Sequence, residues 1–249
     1  MISLHKISKY FNKGKPTEVI ALNDISLQIK KGEFVVVIGA NGSGKTTLLN
    51  IIEGSQMPTA GRVEMNGQDV TPLPEYKRSR WVARVFQNPT NGTAPDLTIL
   101  DNFRLASLRT QRKNLVIGMN EAFKKKVREK VSGLGMGLEN KTDQLMGNLS
   151  GGQRQAMTLL MSVMDDTDIL LLDEPTAALD PKSASVVMNL ADRLNKDLGI
   201  TTVLITHNLK DAVTYGNRLI QMQEGKIARD LNTETKTAVL IQEIYQWFE

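Results

Sequence analysis

A glycine-rich loop between an apolar run and a helix-forming run constrains this chain most. Residues 39–46 read GANGSGKT and fit the pattern G-x-x-x-x-G-K-[ST]. Residues 34–38, before the loop, are mostly β-branched and predict a strand buried on both faces of a parallel sheet. Residues 46–53, after it, predict a helix. This order of strand, loop and helix predicts a loop that binds the phosphates of a nucleoside triphosphate.

Each part of the loop has a physical role. Backbone N–H groups in the loop and the positive end of the helix dipole suit a cluster of phosphates. Lys45 supplies a positive charge for the β- and γ-phosphates, and the Thr46 hydroxyl is a ligand for Mg²⁺. The residues expected to contact the nucleotide here are Asn41, Gly42, Ser43, Gly44, Lys45, Thr46 and Thr47. Residues 140–143 read NKTD, a guanine-reading pattern, but no buried strand precedes them, which argues against GTP.

Strand and helix patterns alternate around the loop. Residues 168–173 and 201–206 predict buried strands, residues 183–198 an amphipathic helix, and residues 219–230 a hairpin. The first 29 residues predict a small antiparallel sheet, and residues 95–155 are helical in spacing. The predicted fold is α/β, a P-loop NTPase core with a mostly parallel, RecA-like sheet, an N-terminal antiparallel β-subdomain and an inserted helical subdomain.

These patterns divide a single domain of residues 1–249 into three parts. Residues 1–92 and 156–230 form the catalytic core with the antiparallel β-subdomain. Residues 93–155 form the helical insert, and residues 231–249 form a C-terminal tail whose residues 236–249 are expected to make one amphipathic helix.

Charge is unevenly distributed along the 249 residues. The net charge is +4, yet residues 77–130 hold 13 lysines and arginines against 4 acidic residues. This run indicates either a solvated helical surface or a face turned toward anionic lipid or an acidic partner. No nucleic-acid-binding module accompanies it, so no nucleic acid is expected. No apolar run approaches the roughly 20 residues that span a bilayer, so any action at a membrane is expected to need a partner.

Residues 149–153 identify a family. They read LSGGQ, which resembles the signature sequence of ATP-binding cassette ATPases, and the resemblance extends over residues 2–230. It implies ATP and Mg²⁺ as cofactors and two chains paired head to tail, each ATP lying between Lys45 of one chain and Ser150 of the other. The signature residues, which act on the partner's nucleotide, are Leu149, Ser150, Gly151, Gly152 and Gln153.

The strand of residues 169–173 ends in two carboxylates to which the family assigns different roles. Asp173 matches the residue that partners Mg²⁺, and Glu174 matches the glutamate that polarises the attacking water. Asp180 follows in a segment that resembles the family's D-loop. His207 matches the switch histidine that holds the γ-phosphate and helps to position the water.

Two further family positions flank the core. Gln87 matches the glutamine loop, whose amide reaches Mg²⁺ or the attacking water and whose backbone joins the core to the helical insert. Phe11 matches the aromatic residue that stacks on adenine, with its neighbour Tyr10 as the alternative.

The resemblance also implies partners and a location. Bacterial importer ATPases of this size serve integral-membrane permease subunits, and indirectly a solute-binding protein, from the cytoplasmic face of the cell membrane, as peripheral subunits. Residues 93–99, 145–155 and 216–219 are similar to a branch associated with tryptophan, tyrosine or branched-chain-like amino-acid uptake. The alternative is a non-transport cassette ATPase that acts as a regulatory or nucleic-acid- or ribosome-associated dimer.

Overall fold

The computed structural model describes residues 2–109 and 118–248. Its strands are β1 (Ile2–Phe11), β2 (Val19–Ile29), β3 (Phe34–Gly39), β4 (Ala60–Met65), β5 (Gln68–Asp69), β6 (Val82–Val85), β7 (Ile169–Asp173), β8 (Thr201–Ile205), β9 (Arg218–Gln223) and β10 (Lys226–Leu231). Its helices are α1 (Lys45–Glu53), α2 (Glu75–Arg78), α3 (Ile99–Ala106), α4 (Glu121–Ser132), α5 (Gly151–Ser162), α6 (Pro181–Leu198), α7 (Leu209–Thr214), α8 (Thr233–Ala238) and α9 (Ile241–Gln246). None of these helices is long and apolar enough to cross a membrane.

Two sheets form the framework. The six-stranded sheet has the order β10-β9-β3-β8-β7-β6, and every neighbouring pair in it is parallel except β10 with β9. The second sheet has the order β2-β1-β4-β5 and is antiparallel. The predicted fold class, a mostly parallel core sheet with an antiparallel β-subdomain, is confirmed.

Strand β3 separates two hydrophobic cores. Phe34, Val36 and Ile38 face a core built with α3 to α7, while Val35 and Val37 face a second core shared with α1 and the antiparallel sheet. All six residues of the strand are buried. Side chains alternate across a strand, so an unbroken apolar run is what a strand covered on both faces requires.

Two arginines of the basic run lie inside the molecule. Arg78 has no exposed surface, and its guanidinium donates to the carbonyls of Ile51 and Ile52 at the C-terminal end of α1, and to those of Leu73 and Thr71. The Arg84 side chain is 6% exposed. The charge count therefore overstates the basic surface of this segment, and Arg112 and Lys113 lie outside the described residues.

The tail differs from its prediction. Instead of one helix over residues 236–249, the chain forms α8, then two residues of extended backbone at Val239 and Leu240, and then α9. This break lets two buried side chains reach different places: Lys236 donates to the carbonyls of Tyr215 and Gly216 after α7, while Ile244 packs into the core. A straight helix over this length presents one continuous face and would not serve both contacts.

Candidate nucleotide-binding site

The phosphate loop has backbone geometry that only glycine accommodates at two points. Gly39 has φ +156°, and a Cβ there would lie 2.4 Å from the carbonyl oxygen of Met222. Gly44 has φ +99°, and a Cβ there would lie 2.4 Å from the carbonyl oxygen of Ala21. The loop is therefore held tightly against β9 and β2, which fixes the direction of its N–H groups.

Lys45 begins α1 and turns back over the loop. Its Nζ donates to the carbonyl oxygens of Gly39 at 2.8 Å and Ala40 at 3.0 Å. Burial lowers the pKa of Lys45, while the carboxylates of Glu174 and Asp173 act to raise it. The ammonium is thus placed at the centre of the loop, with only neutral carbonyls as hydrogen-bond partners, where phosphate oxygens are stronger acceptors.

The N-terminus of α1 opens into a cleft of about 310 Å³. Gly44 caps this helix without any side-chain hydrogen bond, so the first N–H groups of α1 remain for a ligand. The cleft is lined by Phe11, Val19, Ala21, Asn41, Gly42, Gly44, Lys45, Thr46, Thr47 and Glu174. Ser43, within the loop, is buried and does not line the cleft, and its hydroxyl has no hydrogen-bond partner among the described residues. Of the two aromatic candidates, Phe11 lines the cleft and Tyr10 does not.

Thr46 and Asp173 provide oxygen donors that suit Mg²⁺. Within residues 2–109 and 118–248, no cluster of three or more acidic, histidine or cysteine side chains could hold a metal by itself. Mg²⁺ is usually held by one or two protein oxygens together with substrate phosphates and water, so this sparse set fits it. When bound, the ion would neutralise charge on the β- and γ-phosphates.

Asp173 is engaged by a residue that the sequence did not single out. Arg84 donates to its Oδ2 at 2.6 Å, and also to Glu53 Oε2 at 2.6 Å and Asn50 Oδ1 at 2.7 Å. Burial acts to lower the pKa of the Arg84 guanidinium, but the ion pairs with Glu53 and Asp173 outweigh it and raise the pKa. The only sequence signal was an arginine inside an otherwise apolar strand.

Glu174 and His207 are brought together at the ends of neighbouring strands. Glu174 Oε2 lies 3.1 Å from His207 Nδ1, and the glutamate N–H donates to the Ile205 carbonyl at 3.0 Å. Glu174 has φ +48°, a left-handed conformation that is uncommon for a residue with a side chain. The carboxylate therefore faces the cleft beside the phosphate loop.

The signature residues lie elsewhere. Ser150 caps α5, accepting from the Gln153 N–H at 3.3 Å while Gln153 Oε1 accepts from the Ser150 N–H at 3.1 Å. Gly152 packs so closely on α6 that a Cβ there would lie 2.3 Å from Ser183 Oγ. Gly151 lies beside Leu179, Leu149 is buried, and Asp180 caps α6. None of the five signature residues lines the cleft.

Gln87 is exposed and also lies outside the cleft lining. It follows β6, and the preceding Phe86 carbonyl accepts from Gln155 of α5 at 2.9 Å. A groove of about 470 Å³ opens next to this loop, between core strand β6 and helices α3 and α5. Phe86 and Leu105 both line it. The glutamine loop therefore borders both the core and the helical segment.

Comparison with known proteins assigns the class. The family model for the ABC transporter, or ATP-binding cassette, matches residues 22–177. The chain belongs to the ATP-binding cassette transporter family. With the phosphate loop, its lysine and the strand-end carboxylates in place, it is the ATP-hydrolysing, nucleotide-binding subunit of a transporter of this family.

Individual relatives are similar to this chain over most of its length. The tyrosine transport ATP-binding protein of Clostridioides difficile (strain R20291) is 39% identical, over 100% of this chain and 99% of its own. A spermidine/putrescine import ATP-binding protein of Bacteroides thetaiotaomicron is 35% identical over 91% of this chain, which spans 45% of that protein. A dimeric cassette in a post-hydrolysis state, bound to ADP and phosphate, is 31% identical with a TM-score of 0.81, over 94% of this chain and 99% of that one.

Proposed function

We propose that two copies of this chain close head to tail around ATP and drive a membrane permease that imports an amino acid. The observation that carries this is the division of the site: the phosphate loop and Glu174 share one cleft, and the signature residues lie outside it. A γ-phosphate bound at Lys45 then needs Ser150 from a second copy. The pair acts at the cytoplasmic face of the membrane, as a peripheral assembly.

Within this assembly each side chain has a stated role. Glu174 polarises the attacking water, and His207, 3.1 Å from it, holds the γ-phosphate and the orientation of the carboxylate. Thr46 and Asp173 hold Mg²⁺ and Phe11 stacks on adenine. Gln87 moves into the site as the two copies close, because in the single chain it does not line the cleft.

The groove bounded by β6, α3 and α5 receives a short helix of the permease. Its volume of about 470 Å³ and its mixed lining, with Leu105 and Met161 beside Glu53 and Arg84, suit an amphipathic segment. A photo-crosslinking residue at Leu105, which is 54% exposed, is expected to capture a membrane subunit in the assembled transporter. The same residue at Tyr245 in the tail, 59% exposed, is the control. Capture from Tyr245 alone contradicts this placement.

An aromatic amino acid is the proposed cargo, supported by the full-length identity to a tyrosine transport protein. Cells in which Glu174→Gln replaces the wild-type chain are expected to lose uptake of labelled tyrosine while keeping normal amounts of the subunit. Labelled spermidine is the control, because another relative serves spermidine import. Intact tyrosine uptake with loss of spermidine uptake would assign the other cargo.

A further inference from the structure

Arg84 connects β6, on which it lies, with α1 and β7. All three elements carry or adjoin candidate site residues. Arg84 is the third residue of β6, three positions before Gln87, and its side chain is 6% exposed. Its guanidinium contacts Asn50 and Glu53 on α1, the helix that carries the phosphate loop, and Asp173 at the end of β7. It also lies 4.8 Å from the ring centroid of Phe86, the residue before Gln87.

The contact with Asp173 sets the orientation of that carboxylate. Among the described residues, Arg84 is the one side chain that hydrogen-bonds to Asp173, and it takes Oδ2 at 2.6 Å. Rotation of the carboxylate away from Arg84 would break this bond, and Oδ1, which Arg84 does not hold, would be the oxygen left for the metal ion. Side chains that hold a metal partner from behind are worth about 10- to 100-fold in metal affinity or activity.

Arg84 is itself held by a second carboxylate. Glu53 Oε2 is 2.6 Å from its Nη1, and the Glu53 side chain is 10% exposed against 13% for Asp173. Two nearly buried carboxylates thus share one guanidinium, whose planar fork can serve both at once. A lysine carries the same charge, but its single ammonium lacks the two separate donor nitrogens with which the guanidinium bonds both carboxylates.

The same residues form part of the groove floor. Glu53, Arg84 and Phe86 all line the groove of about 470 Å³. A segment inserted there touches the side chains that hold Asp173, without touching the nucleotide cleft.

We propose that Arg84 is a positioning residue: it orients Asp173 toward the Mg²⁺ of the bound nucleotide and connects that carboxylate to the occupant of the groove. The second half rests on the proposed function, because the occupant is the permease helix. The first half concerns the isolated chain and is tested on it.

The test measures metal binding directly. Mn²⁺ replaces Mg²⁺ and is titrated into the isolated chain with a non-hydrolysable ATP analogue, with bound Mn²⁺ read by electron paramagnetic resonance. Arg84→Gln is expected to need about tenfold more Mn²⁺ for half-occupancy. Its affinity for the analogue in EDTA should stay at the wild-type value. The Mn²⁺ affinity of Arg84→Lys should fall between those of the wild type and Arg84→Gln. Arg62→Gln, which breaks an exposed pair with Glu64, is the matched control and should bind Mn²⁺ like the wild type.

A second variant keeps the proposal testable if Arg84→Gln fails to fold. Glu53→Gln keeps the guanidinium but weakens its anchor on α1, and it should reduce Mn²⁺ affinity in the same direction by a smaller factor. Mn²⁺ affinity equal to or tighter than wild type in folded Arg84→Gln or Glu53→Gln overturns the proposal. If the wild-type chain fails to bind Mn²⁺ with the analogue, the proposed nucleotide site is at fault instead.

Discussion

At the scale of single residues, the site depends on a few groups in costly conformations. Glu174 adopts a left-handed backbone, which costs of the order of 1–3 kcal/mol for a residue with a side chain. The hydrogen bond from its N–H to Ile205 and the contact with His207 hold it there. Such strain persists at functional sites because it aims a reactive group, here the carboxylate, at the cleft.

Lys45 should contribute much to ATP binding and little to the stability of the fold. In Lys45→Ala the loop keeps its glycine turns but loses the charge that faces the phosphates, so ATP affinity should fall by a factor of ten or more (about 1.4 kcal/mol per factor of ten). Thermal unfolding without nucleotide should change little. Lys226→Ala, at an exposed position on β10, is the control. Normal ATP turnover in Lys45→Ala would refute the role of the phosphate loop.

The second signature glycine should be required for packing. A Cβ at Gly152 lies 2.3 Å from Ser183 Oγ and 2.4 Å from Ser183 Cβ. Gly152→Ala should therefore lower the free energy of unfolding by about 1–3 kcal/mol in chemical denaturation. Ser183→Gly should restore much of the loss, because it removes both obstructing atoms.

Gly151→Ala is the matched control for this packing effect. The nearest atom to its Cβ is Leu179 Cδ2 at 3.7 Å, an ordinary contact. If the two alanine variants are equally stable, the packing explanation for Gly152 is wrong.

At the scale of secondary-structure elements, the sequence predicted those with strong local signals. The apolar runs gave β3, β7 and β8, and the 3.6-residue spacing gave α6 to within two residues. The hairpin of β4 and β5 was missed, although Asn66 and Gly67 have the positive φ values of a tight hairpin turn and form a favoured pair for it. Its strands carry weak alternation, since the first half of β4 is exposed.

Long-range pairs could not be predicted from local pattern. The contacts of Arg84 with Asp173 and of Lys236 with Tyr215 join residues 89 and 21 positions apart. Only the folded chain brings them together. The candidate site residues were assigned from their match to the family's motifs, which is information that periodicity does not contain.

The tail contact predicts a pH dependence of stability. Burial lowers the pKa of the Lys236 ammonium from 10.5 to about 8. Between these values the unfolded chain keeps a proton on this lysine that the folded chain has released, so this residue makes the free energy of unfolding rise with pH. The wild type should therefore gain stability relative to Lys236→Met between pH 8 and 10.5.

Chemical denaturation at several pH values measures this difference. Lys226→Met, at an exposed site, is the control and should track the wild type. A difference between wild type and Lys236→Met that is flat or falls across the window would contradict a buried, charge-destabilised lysine.

At the scale of the whole molecule, the proposed function requires two half-sites in each chain. These are the cleft at the phosphate loop and the capped N-terminus of α5, and no residue of the signature lines the cleft. A helix N-terminus is a place where anions bind. Without nucleotide, closure would bring the Lys45 ammonium and the helix N-terminus of the partner's signature together with no anion between them. The γ-phosphate makes the two faces complementary, and its removal by hydrolysis reopens them.

We expect ATP to hold two copies together until the water that Glu174 polarises hydrolyses it. Glu174→Gln keeps the size of the side chain but removes the carboxylate that polarises water. Its mass in solution should be measured by light scattering with and without Mg-ATP, next to Glu234→Gln, an exposed tail variant, and the double variant Lys45→Ala/Glu174→Gln. Glu174→Gln should be a monomer alone and a dimer with Mg-ATP, while the other two remain monomers on average. If Glu174→Gln stays monomeric at saturating Mg-ATP, and Mg-ATP also fails to bring its two copies together in the assembled transporter, the ATP-joined dimer is contradicted.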